Sequence, residues 1–298
     1  MNIGWIGAGK MGLPMLASLL AAGHAVRVAE LSEPARQQAQ ALGASLAQSP
    51  EEAAVGADAV FSSLPDDAAL LAVAPAVFAG AQPGMLYVDT STVSPQASAT
   101  VARAAEAAGV RYLRAPVSGT PVQAQERTLA TMVSGPREAF EAALPLLSAW
   151  GQPPRYLGPD EQARSMKLVL NLMVGTTAAM MAEALALGSK GGIRWDDLLD
   201  VMASSVLASP LIKVKAAQLR RRDFSPLFSC TQMAKDLRLI LAAGGDAGVP
   251  LPLAALVSQL NGVSLAHGHG GDDYIASVLT AELLAGTAPI LDDTGDAS

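Results

Sequence analysis

The chain has 298 residues, 51% of them hydrophobic, 16% charged and 4% aromatic, enough apolar material for about two domains with cores of Ala, Leu, Val and Met. A formal net charge of -7 argues against a general nucleic-acid or anionic-membrane binder, while leaving room for a local basic patch that holds a small anion. The single cysteine, Cys230, excludes an intrachain disulfide, as fits a reducing, cytoplasmic setting, and no catalytic-cysteine signature surrounds it.

In chain order, 2–6 reads as a strand and 11–22 as a helix. Lys10 followed by an apolar stretch superficially resembles a secretion leader. The apolar run before it and the spaced glycines make it a strand–turn–helix instead. A strand at 25–29, a helix at 33–41, a strand at 59–63, a helix at 68–78 and a strand at 86–89 follow. Next come a helix at 95–108, strands at 112–115 and 129–134, a helix at 137–148 and a strand at 155–157. Alternating apolar strands and helices predict an α/β domain with a mostly parallel, doubly wound sheet covered on both faces.

Near Gly158 the pattern changes to helical periodicity alone. Residues 161–190 predict one long interdomain helix of roughly 45 Å, stopped by Gly191 and Gly192. Its apolar stretch 168–182 is interrupted by Asn171, Thr176 and Thr177 and is short for a membrane span, so it reads as a buried helix. Further helices are expected at 195–204, 211–220, 230–243, 251–267 and 274–284. The organisation is a Rossmann-like domain at 1–162, an all-α domain at 163–287, and an acidic, flexible tail at 288–298.

Gly7, Gly9 and Gly12 form GxGxxG between the first strand and the first helix, with Lys10 and Met11 inside the turn. The first glycine allows the tight turn, the second lets backbone approach a pyrophosphate, and the third lets helix and strand pack closely. The helix N-terminus then offers N–H groups to phosphate oxygens. Glu30, 18 residues beyond Gly12, ends the second strand, where a carboxylate accepts from ribose hydroxyls and repels a 2′-phosphate. That favours NAD over NADP. Arg27 and Arg36 are the nearest arginines to that position.

Six motifs in order then carry a resemblance. They are G-W-I-G-A-G-K-M-G at 4–12, S-L-P-D-D at 63–67, D-T-S-T-V-S-P at 89–95, A-P-V-S-G at 115–119, K-L-V-L-N at 167–171 and K-D-L at 235–237. The chain resembles the β-hydroxyacid dehydrogenase family, which includes 3-hydroxyisobutyrate dehydrogenases, tartronate semialdehyde reductases and glyoxylate/succinic semialdehyde reductases. The resemblance implies a Rossmann domain joined to a helical domain that assembles dimers or tetramers. It implies that Leu64, Pro65 and Thr92 line the dinucleotide and that Lys235 lies near it. Ser118 and Gly119, with Thr120 beside them, would hold a substrate carboxylate. Lys167 would be the acid/base and Asn171 would orient the substrate.

The residues suit that chemistry. Lys167 and Asn171 stand four apart on a predicted helix and share a face. An ammonium protonates a developing alkoxide, and a neutral amine removes a hydroxyl proton. Asn171 donates and accepts, so it can fix the reacting oxygen. The pattern departs from the family at Thr120, Arg127, Glu161 and Ala163, positions that bear on the pocket rather than the reaction. His24 reads as structural. His267 and His269 lie in a Gly-rich turn with no cluster to complete a metal site. Arg220, Arg221 and Arg222 read as a solvated helix end. An imine reductase shares the architecture but usually lacks the lysine, and an inactive dinucleotide-binding scaffold needs neither Lys167 nor Asn171.

Overall fold

Strand β1 (Asn2–Ile6) lies inside the sheet, paired in parallel with β2 (Ala25–Ala29) on one side and β4 (Ala59–Ser62) on the other. The computed structural model describes residues 1–287; the tail expected at 288–298 lies outside the described residues. Helices α1 (Gly12–Ala21), α2 (Glu33–Ala41), α3 (Pro50–Ala54), α4 (Asp67–Gly80), α5 (Pro95–Ala107), α6 (Pro121–Gln125) and α7 (Arg137–Leu147) alternate with the strands. The remaining strands are β3 (Ser45–Leu46), β5 (Leu86–Asp89), β6 (Arg111–Arg114), β7 (Val117–Ser118), β8 (Ala130–Ser134) and β9 (Arg155–Gly158). The sheet runs β3-β2-β1-β4-β5-β6-β8-β7, with β9 also on β8. All pairs from β3 to β6 are parallel, while β8 runs antiparallel to β6 and β7. The order 3-2-1-4-5-6 is that of a dinucleotide-binding sheet.

Successive side chains of a strand face opposite sides, and here both sides are apolar. Ile3, Trp5, Val28, Phe61 and Val88 pack with α1 and α7 in one core. Ile6, Ala29, Val60, Tyr87 and Tyr112 pack with α3, α4 and α5 in the other. Trp5 stacks on Phe61 at 5.5 Å, and Trp150 meets both edge-on. The elements absent from the sequence reading, β3, α3, β7 and α6, have two or five residues each, too few to display a period.

The compact units part between Leu168 and Val169, about two turns inside helix α8 (Gln162–Lys190). The second unit continues with α9 (Trp195–Ser204), α10 (Pro210–Arg220), α11 (Cys230–Asp246), α12 (Pro252–Ala266) and α13 (Ser277–Ala285). By length and composition α8 is apolar enough to span a membrane, with mean hydropathy 1.5. Met181, Ala182 and Leu185 on it are buried in the core of its unit.

Buried Asp273 is a hub of that unit. Its carboxylate accepts from Lys215 Nζ at 2.6 Å and from the amides of Leu227 and Ile275 at 3.1 Å. Burial lowers the Lys215 pKa, and Asp273 opposes the shift. Arg222 departs from the solvated reading of its run. Its guanidinium is half-buried and donates to both oxygens of Glu282, at 2.9 and 2.7 Å. Arg220 does face solvent, against Asp200 and Asp196.

Candidate active site

The turn between β1 and α1 has three glycines with three different surroundings. Gly7 has φ +86°, and a Cβ there would stand 2.4 Å from Ser63 O. A Cβ on Gly12 would stand 2.1 Å from Gly7 O, the oxygen that also accepts from Trp5 Nε1 at 2.9 Å. A Cβ on Gly9 would meet nothing within 4 Å. Protein packing therefore explains Gly7 and Gly12 and leaves Gly9 unexplained, unless something outside the chain approaches it. The Leu13 amide bonds Gly9 O at 2.9 Å to open α1, and the cap residue Met11 adds no side-chain hydrogen bond. Lys10 is exposed, and Met11 packs partly into the core.

Glu30 closes this turn from the end of β2. Its Oε2 accepts from the Ala8 amide at 2.5 Å, and its Oε1 accepts from Leu31 and Ser32 at 2.8 Å. Arg27 points elsewhere, donating to the carbonyls of Glu52 and Val55. Arg36 reaches Glu30 O at 3.3 Å and Glu33 at 3.4 Å. An open approach over Gly9, a helix N-terminus and an adjacent acid fit a dinucleotide.

The next two loops are stitched together by a residue missing from the sequence-derived site, Asp89. It is fully buried at the end of β5. Its Oδ1 accepts from Ser62 Oγ at 2.5 Å and Ser91 Oγ at 2.6 Å, and Ser91 Oγ accepts from the Leu64 amide at 2.8 Å. Asp67 accepts from the Ser94 amide at 2.8 Å. Leu64, Pro65 and Thr92 thus sit on loops joined by hydrogen bonds. Asp89 Oδ2 receives Arg164 Nη2 at 2.5 Å. Burial alone would lower the Arg164 pKa, but Tyr112 and Asp89 raise it above its ordinary value. Burial pushes the Tyr87 and Tyr112 phenols upward.

Ser118 ends β7, opposite Ala130, and is half-buried. Gly119 has φ +143°, a conformation that L side chains rarely adopt, and a Cβ there would meet Leu129 at 2.5 Å. Thr120 caps α6. Its Oγ1 accepts from the Gln123 amide at 3.3 Å, and Gln123 Oε1 accepts from the Thr120 amide at 3.0 Å. Arg127 is exposed, with φ +57°. Glu161 pairs with Arg114 and Ala163 is fully buried, so both contribute to packing within the first unit.

On α8, Lys167 is half-buried and Asn171 is buried, 6% exposed. Asn171 Nδ2 donates to Asp236 Oδ2, and Lys235 Nζ stands 2.9 Å from Asp236 Oδ1. Asp236 is fully buried. It lies in the K-D-L motif, and its partner is 65 positions away, so composition alone gives no sign of the pair.

Burial pushes the Cys230 thiol up to about 12, with Asp273 and Asp272 adding to the shift, which agrees with an inert residue. The His24 amide closes the end of α1 on Leu19 O. His269 pairs with Asp272 at 2.8 Å. Among the described residues, no group of three or more His, Cys, Asp or Glu is placed to hold a metal.

Comparison with known proteins adds to this geometry. Residues 2–158 match a family model described as the NAD binding domain of 6-phosphogluconate dehydrogenase. Residues 162–280 match one described as the NAD-binding domain of NADP-dependent 3-hydroxyisobutyrate dehydrogenase. The chain is 32% identical to 2-(hydroxymethyl)glutarate dehydrogenase of Eubacterium barkeri, covering 96% of this chain and 97% of that protein. It is 33% identical to the NAD-dependent L-serine dehydrogenase of Pseudomonas aeruginosa, covering 92% and 95%. The solved 3-hydroxyisobutyrate dehydrogenase of Mycobacterium tuberculosis with L-serine matches with TM-score 0.86 and 30% identity, covering 93% of this chain and 98% of that one.

Proposed function

The chain belongs to the β-hydroxyacid dehydrogenase family, and from that premise we propose that it transfers hydride between NAD and a small β-hydroxy acid or aldehyde acid, with Lys167 as general acid/base. It is an NAD(P)-dependent oxidoreductase acting on a CH–OH group. The observation that carries the finer reading is on α8, where Lys167 and Asn171 are one turn apart and the Asn171 amide is fastened to buried Asp236.

When bound, the nicotinamide accepts hydride from the carbinol carbon or returns it to a carbonyl carbon. The chain supplies the rest. In oxidation, neutral Lys167 takes the hydroxyl proton. In reduction, its ammonium delivers that proton to the carbonyl oxygen as the C–H bond forms. Asn171 commits one N–H to Asp236 and keeps its remaining groups for the reacting oxygen. Ser118, Gly119 and Thr120 supply a hydroxyl and backbone amides for the substrate carboxylate. Gly7, Gly9, Lys10, Met11 and Gly12 hold the pyrophosphate, and Glu30 takes the ribose. Leu64 and Pro65 line the nicotinamide or adenosine side, Thr92 approaches the nicotinamide riboside, and Lys235 is assigned to the cofactor. NAD is favoured because a 2′-phosphate would face the Glu30 carboxylate, while Arg36 donates to the Glu30 carbonyl. A homodimer or homotetramer and a cytoplasmic location accompany this reading.

The test is a spectrophotometric screen with NAD and NADP against 3-hydroxyisobutyrate, 3-hydroxypropionate, glycerate, 4-hydroxybutyrate, glyoxylate and cyclic imines. Turnover of a hydroxy acid or aldehyde acid, with NAD preferred, is expected. Tight NADH binding with no turnover would favour a scaffold, and turnover of imines alone would favour an imine reductase.

A further inference from the structure

Arg164 is the largest charged side chain buried completely in the first unit, and its polar partners come from the end of β5, the loop after it, the first turn of α5 and strand β6. Nε donates to Ser98 Oγ at 3.2 Å, Nη1 to Ser91 O at 2.6 Å, and Nη2 to Asp89 Oδ2 at 2.5 Å and Tyr112 OH at 2.9 Å. Asp89 in turn holds Ser62 and Ser91, and Ser91 holds the Leu64 amide. One hydrogen-bonded path therefore runs from the first turn of α8 to both loops that carry Leu64, Pro65 and Thr92.

Burying such a pair is a poor way to gain stability, because an apolar replacement of similar volume is often neutral or better. What a buried fork does supply is a fixed geometry, since its donors meet their acceptors in one arrangement only. Lys167 lies three residues beyond Arg164 on the same helix, about 4.5 Å along the axis and on an adjoining face. The same turn is held from other sides. Glu161 pairs with Arg114, whose guanidinium lies 4.7 Å over the Tyr112 ring. The Ala163 amide donates to Ser134 Oγ at 3.2 Å, and that hydroxyl donates to Asp160 O at 2.6 Å. The departures from the family at Glu161 and Ala163 are thus part of the fixation of this turn.

We propose that Arg164 is a positioning residue for hydride transfer: through Asp89 it locks the first turn of α8, and so the Lys167 backbone, to the two loops assigned to the cofactor, the Thr92 loop at its nicotinamide riboside among them. This rests on the function proposed above for those loops and for Lys167.

The test uses the full chain with Arg164→Lys, which keeps the charge and loses the fork. Tyr112→Phe removes one acceptor of Arg164 and serves if the first variant folds poorly. Hydrogen exchange of the cofactor-free proteins is expected to speed up together at 163–168, 63–67 and 90–94, with the far strands unchanged. With substrate, kcat is expected to fall about 10- to 100-fold, as for a misplacement of about 1 Å. KM for the hydroxy acid should stay within about threefold, since Ser118, Gly119 and Thr120 lie outside this network. Unchanged exchange at these segments and unchanged kcat in a folded variant would overturn the proposal. So would exchange that rises throughout the unit while kcat falls only with the folded fraction, which marks a structural strut. If the wild-type protein turns over none of the screened substrates, the proposed function fails, and the exchange measurement still decides the linkage.

Discussion

Asn171 donates from Nδ2 to Asp236 Oδ2, and Asp236 has no surface in contact with solvent. A carboxylate only accepts, so the bond fixes which end of the Asn171 amide faces it. Replacing Asp236 by Ala leaves a buried N–H without its acceptor. The expected loss is about 1–3 kcal/mol of stability, read by urea unfolding, with a lower kcat on the remaining folded enzyme. Unchanged kcat would remove Asn171 orientation from the account.

Gly9 and Gly12 should respond oppositely to the same methyl group. Gly9→Ala meets no protein atom within 4 Å, so its thermal midpoint should stay near that of the wild type. Its NADH affinity should drop at least about 10-fold, which is about 1.4 kcal/mol. Gly12→Ala drives a Cβ to 2.1 Å from Gly7 O, a backbone atom that cannot step aside. It should lose about 1–3 kcal/mol of stability by overpacking. Melting curves with fluorescence titration of NADH check both.

Glu30 anchors the Ala8 amide, and the proposed function also gives it the selection of the ribose. Glu30→Ala should weaken NADH through both. It should improve NADPH relative to NADH by about 10-fold or more, because a phosphate about 4 Å from a carboxylate is opposed by several kcal/mol at a surface-like dielectric. The ratio of the two dissociation constants is the measurement, and an unchanged ratio contradicts the selection role.

The alkaline side of the stability curve follows from buried neutral acids. The Cys230 thiol is pushed from 9.0 up to about 12, and burial also raises Tyr87 and Tyr112 above 10.0. Each stays protonated in the folded chain after its unfolded counterpart has ionised. Their contributions are therefore complete below about pH 9 and are lost as pH rises toward the folded values. Each such proton adds a slope of about 1.4 kcal/mol per pH unit. Unfolding free energy measured from pH 8 to 11 should fall, and Cys230→Ser should flatten the onset near pH 9. A level curve would contradict the shifts.

The parts of this molecule that repeat locally are legible in the sequence. The glycine turn and Glu30 show by spacing, and Trp5, Phe61 and Val88 show as apolar strand runs. Helix α8 is legible through its length, and the Lys167–Asn171 interval through its one-turn spacing. What stayed hidden is what pairs at a distance. Asp89 and Arg164 are 75 positions apart and Arg114 and Glu161 are 47 apart. Either partner alone reads as an ordinary surface charge. Thr120 was legible as part of a loop but not as the cap of a five-residue helix, because so short an element has no period. Arg222 was misread from its basic neighbours, since only the fold brings Glu282 to it.

Proton transfer at Lys167 is tested by the turnover of Lys167→Ala, measured beside its NADH affinity. Removal of a general acid/base should lower kcat by about 10²–10⁴-fold with the dissociation constant for NADH unchanged. Wild-type turnover in the folded variant would contradict the account.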